Sequence, residues 1–72
     1  MRPEEWIDDF ASVIGIDAPD PATVKELLAL AAVAAHASER TAAPIACYLA
    51  GRDGRPISEL NGIADGLGSS GD

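Results

Sequence analysis

At 72 residues, with 12 Asp and Glu against 5 Lys and Arg and a formal net charge of -7, the chain reads as one small acidic domain. That charge argues against nucleic acid, whose binding needs a basic surface, and against an anionic membrane surface. One Cys and one His permit neither an internal disulfide nor a four-ligand structural zinc site.

A chain this short buries only about 60% of its unfolded surface, so either a tight helical core or association with a partner must supply stability. Met1 leads into Arg-Pro-Glu-Glu with no apolar segment behind it, and no signal peptide is expected. The longest apolar run, Leu27 to Ala37 interrupted by His36, is too short to span a bilayer. A free thiol without a targeting segment suits the cytoplasm.

The first predicted helix runs from Pro3 to Ile14. Pro3 fits a first turn, where its missing N–H costs nothing, and Glu4 and Glu5 suit the positive end of the helix dipole. Trp6, Phe10 and Val13 share one face with Ile7 and Ile14 on its flank, while Glu5, Asp8, Asp9 and Ser12 take the other. Gly15 is placed to end it in the left-handed conformation. The second begins at Asp20-Pro21, an N-cap followed by Pro at the first helical position, and is expected to reach about Ser38. Val24, Leu27, Leu28, Ala31 and Ala35 form its main apolar stripe, and Leu30, Ala34 and Ala37 widen it, so this helix should be central. The remaining arc carries Lys25, Ala29, Ala32 and His36, and continues to Glu39 and Arg40. Thr41 can cap a third helix, with Pro44 tolerated in its first turn, Ile45, Tyr48 and Leu49 on one face and Gly51 as its end. Gly51 to Pro56 reads as a turn-rich connector. A weaker fourth helix is expected over Ser58 to Leu67, since Gly62 and Gly66 each cost roughly 1 kcal/mol. Residues 1–67 then form a single helical domain and 68–72 a disordered tail. The expected class is all-α, a small three- to four-helix bundle, with Trp6, Phe10, Val24, Leu27, Leu28, Ala31, Ile45 and Leu49 as its core.

Chemistry is sparse. His36 and Arg40 stand at i and i+4, which on a continuing helix puts them on one face above small alanines. Arg40 could there hold a carboxylate or phosphate oxygen bidentately, with His36 as a second, pH-dependent donor. The competing reading is the polar arc of an amphipathic helix, with Arg40 offsetting the negative helix end. Cys47 could act as a nucleophile with His36 as base and Tyr48 nearby, but that needs a thiolate-stabilising setting, and a small buried apolar residue is the simpler role. Asp8 and Asp9 are adjacent on a helix and point about 100° apart, so they form no dyad. Asp17, Asp20 and Asp53 do not match a calcium loop. Gly66-Leu-Gly-Ser-Ser-Gly71 matches the letters of the dinucleotide fingerprint but has no strand before it and no helix after it. Small acidic helical chains also include acyl carriers, whose attachment signature Asp-Ser-Leu is missing. No catalytic residue, metal ligand or cofactor is assigned.

Trp6-Ile-Asp-Asp-Phe, Ala35-His-Ala-Ser-Glu-Arg-Thr-Ala-Ala-Pro-Ile and Tyr48-Leu-Ala-Gly resemble a small family of uncharacterised helical domains of high-GC bacteria. Its members occur alone or in association with molybdopterin-guanine dinucleotide biosynthesis proteins. The likeness covers about residues 6 to 51, and its most specific part is His36, Arg40, Ala43 and Pro44. Thr41 departs from the Pro that the family usually has there. The resemblance implies a setting near molybdenum-cofactor maturation, not a reaction. The nucleotidyltransferase chemistry needs a phosphate-cradling loop and carboxylates for magnesium on an α/β domain that 72 residues cannot supply. The combined expectation is a non-catalytic accessory or protein-interaction domain that contacts a protein partner through His36, Arg40, Pro44 and Tyr48. The alternatives are a small-ligand or anion pocket around His36 and Arg40, and a homodimerisation module.

Overall fold

The structure, a computed structural model, describes residues 1–69. Four helices follow in order: α1 (Pro3–Ile14), α2 (Pro21–Ala37), α3 (Ala42–Asp53) and α4 (Ile57–Ser69). No strand occurs among the described residues, so the class is all-α as expected. Of the tail expected at 68–72, the first two residues are the last of α4, and residues 70–72 lie outside the described residues.

Local chemistry sets most of the boundaries. Gly15 takes φ 84°, and its N–H donates to the Ser12 carbonyl (3.2 Å) while that of Ile16 donates to the Ala11 carbonyl (3.0 Å). This pair of bonds is the Schellman ending that the glycine permits. The Asp20 carboxylate accepts from the Thr23 N–H at 2.8 Å, capping α2 ahead of Pro21. Two expectations need correction. Thr41 makes no side-chain cap bond and has helical φ and ψ; the Ala42 and Ala43 N–H groups donate instead to the Glu39 and Arg40 carbonyls in a tight turn. Gly51 does not end α3, because it stays helical, and the stop comes at Gly54, φ 87°, just ahead of Pro56. There Arg55 grips Asp53 with two side-chain N–H donors, at 2.6 and 3.0 Å.

Both α3 and α4 pack on α2, the central helix, while α1 has no more than marginal contact with any other helix. The molecule is accordingly elongated, 42 × 24 × 18 Å. An Asn61 Nδ2 donor ties α4 to the Glu26 carbonyl at 2.9 Å. The core differs sharply from the expected one. Ala11, Leu30 and Ala50 are its buried residues, and Val24, Leu27 and Ala31 are half-buried. Trp6, Phe10, Leu28, Ile45 and Leu49, expected inside, are exposed. Trp6 and Phe10 are exposed because α1 barely touches another helix; for Ile45 and Leu49 the reason lies in α3, which is apolar on two sides. It presents its small side, Ala43, Ala46, Cys47 and Ala50, toward α2, and small side chains let two helix backbones approach closely. That choice turns Ile45, Tyr48 and Leu49 outward.

Candidate functional site

The residues marked by the sequence separate in space. His36 lies on the exposed arc of α2, in its last turn. The helix ends at Ala37, and Ser38 leaves it with φ -134° and ψ -103°. Arg40 therefore sits beyond the helix end, and the i, i+4 register that would place it over His36 is broken. Both side chains are exposed, and neither makes a hydrogen bond or ion pair among the described residues. Pro44 and Tyr48 remain together, one turn apart on the outward side of α3.

Cys47 is on the opposite side of α3, half-buried, with its Sγ donating to the Leu27 carbonyl at 3.8 Å. Burial pushes its thiol above the usual value, the reverse of what a nucleophile needs. Leu27 and His36 are nine residues apart on α2, about 180° around the helix at 3.6 residues per turn. Cys47 and His36 thus face different sides of α2 and form no nucleophile–base pair. No group of three His, Cys, Asp or Glu among the described residues is arranged to hold a metal. No helix among them is long and apolar enough to cross a membrane.

An open groove between α2 and α4 is lined by Lys25, Glu26, Ala29, Val33, Asn61 and Asp65, among others. The Asn61 amide there is committed through Nδ2 to Glu26, while its buried Oδ1 has no hydrogen-bond partner.

The larger feature is apolar surface. On α1, Trp6 and Phe10 stack with ring centroids 5.2 Å apart and planes 19° from parallel, yet both are more than half exposed. Val13 and Ile14 continue that stripe. Glu5 and Asp9 edge it on one side and Glu4 and Asp8 on the other, all four exposed. On α3, Ile45, Tyr48 and Leu49 form a second outward patch. The Arg52 guanidinium lies 5.8 Å from the Tyr48 ring centre and has no carboxylate partner among the described residues. The accessible surface of 5480 Å² exceeds by about 1,300 Å² the roughly 4,200 Å² of a folded monomer of 7.4 kDa. The sequence allowed for unhidden apolar surface but placed Trp6, Phe10, Ile45 and Leu49 in the core, because amphipathicity reports that a helix face is covered, not which molecule covers it.

A family model described as a domain of unknown function, DUF6457, matches residues 2–53. The match starts just before α1 and stops on the last residue of α3, leaving α4 outside it. No curated protein and no solved structure matches the chain.

Proposed function

The chain belongs to the DUF6457 family, and from that premise we propose that it is a non-catalytic protein-interaction domain. One observation carries this reading. Two apolar helix faces, Trp6 to Ile14 on α1 and Ile45 to Leu49 on α3, are exposed in a chain too small to leave them so without a purpose. The family match spans α1 together with the packed pair α2 and α3, which supports treating the unpacked helix as a working part of the unit. Tyr48 belongs to the α3 face, and aromatic side chains beside an arginine make strong interface anchors. Pro44 extends that face by one turn. His36 and Arg40 add two donors, without partners among the described residues, at the nearby α2–α3 corner, suited to a partner carboxylate.

The setting suggested by the family resemblance is molybdenum-cofactor maturation, with a molybdopterin-guanine dinucleotide nucleotidyltransferase as the partner to test. Calorimetric titration of that purified enzyme with the full chain should give saturable binding. Arg40→Ala should weaken it while leaving the helical circular-dichroism signal intact. No binding by the wild-type chain removes the molybdenum setting, and unfolding of Arg40→Ala makes Arg40 a structural residue.

A further inference from the structure

We propose that the covering for these faces is a second copy of this chain, with α1 of each copy laid across the outward side of α3 of the other. The proposal rests on the reading of α1 and α3 as contact surfaces, and adds the occupant and its arrangement.

Three observations lead to it. The first is area. The exposed parts of Trp6, Phe10, Val13, Ile14, Ile45, Tyr48 and Leu49 amount to on the order of 800 Å² per copy, which is what a standard-size interface takes from each partner. The second is charge. The α1 stripe is edged by Glu4, Glu5, Asp8 and Asp9, of which only Glu4 has a basic neighbour, Arg2 at the helix start (3.7 Å), whereas the α3 face carries Arg52 without a carboxylate partner among the described residues. Pairing α1 with another α1 would set acid against acid. Pairing α1 with α3 sets acid against arginine. The third is topology. Within one chain α1 has no more than marginal contact with α3, and the α3 patch points away from α2. Reciprocal exchange between two copies makes the same contact twice around a two-fold axis and closes the assembly.

The test uses charge reversal at exposed sites. Sedimentation equilibrium of the full chain over a roughly hundred-fold range of concentration should reveal a monomer–dimer equilibrium. Arg52→Glu and Asp9→Arg, each alone, should weaken self-association by about tenfold or more, since each places like charges at both contacts. An equimolar mixture of the two variants should recover it, because both contacts are then complementary. Trp6 emission should move to the blue along the wild-type association curve, which gives a readout independent of either variant. A wild-type chain that stays monomeric throughout overturns the second copy as occupant, while leaving the heteromeric binding measurement to judge the interaction reading. Dimers that ignore the single reversals, a mixture that fails to recover, or Trp6 emission constant across association would overturn the α1-on-α3 arrangement.

Discussion

The Cys47 thiol donates to the carbonyl of Leu27 across the α2–α3 contact, Sγ to oxygen 3.8 Å. A side chain that in a more electropositive place would be the chain's nucleophile is here a filler between two helices. Its burial raises the thiol pKa, so less thiolate is present near neutral pH. Alkylation by iodoacetamide at mildly alkaline pH should run several-fold slower than for a thiol in a short unstructured peptide. It should reach the peptide rate in denaturing urea. A folded chain that reacts faster than the peptide would reopen the enzyme reading.

Neighbouring positions on α3 should respond oppositely to substitution. Ala50 is buried against α2, so Ala50→Leu overpacks the contact and should cost about 1–3 kcal/mol. Leu49 is 57% exposed, and Leu49→Ala in dilute solution should change stability by no more than about 0.5 kcal/mol. Urea midpoints of the two variants decide between this orientation of α3 and the one with Ile45 and Leu49 inside, which would reverse the order.

Among the described residues Leu30 is the one large side chain in the core, 4% exposed on the central helix. Leu30→Ala should remove about 2–5 kcal/mol. A chain of this length has roughly 4–10 kcal/mol of stability in total. The expected thermal melt of the variant is therefore broad or already begun at room temperature. A sharp transition at the wild-type midpoint would mean that the core lies elsewhere.

The α2 cap carries a pH signature. The Thr23 N–H, bonded to the Asp20 carboxylate, holds its pKa below the ordinary aspartate value. A carboxyl group whose folded pKa is depressed stabilises the fold above its unfolded pKa and loses that effect as pH falls through the folded one. Asp20→Ala should lower the melting temperature by a few degrees at neutral pH. Asp20→Asn keeps a cap oxygen without a titrating charge. The stability difference between wild type and Asp20→Asn should stay constant from neutral down to the ordinary aspartate range and change only below it. A difference that shifts near neutral pH would assign the dependence to another group.

Helix starts and the first helix end were legible because they depend on single residues with strong backbone preferences: Pro3, Asp20-Pro21 and Gly15. The end of α3 was not. Gly51 and Gly54 are both free to turn, and only Pro56 and the Asp53–Arg55 grip favour the second. The facing of α3 was ambiguous for a different reason. Its Ala and Cys side and its Ile, Tyr and Leu side both read as apolar stripes, and periodicity does not rank close backbone approach above large buried area. The His36–Arg40 pair depended on α2 running one more turn. Ser38 breaks that turn through the backbone, which residue spacing does not report.

On α3, what holds the helix and what the helix displays are different residues. Ala43, Ala46, Cys47 and Ala50 fix it to α2, while Ile45, Tyr48, Leu49 and Arg52 face out. Substitution on the outward set leaves the internal packing untouched. On the interaction reading proposed above, partner choice could therefore be reprogrammed at that face while the scaffold beneath stays the same. On that reading, stability and recognition are in this helix separately adjustable.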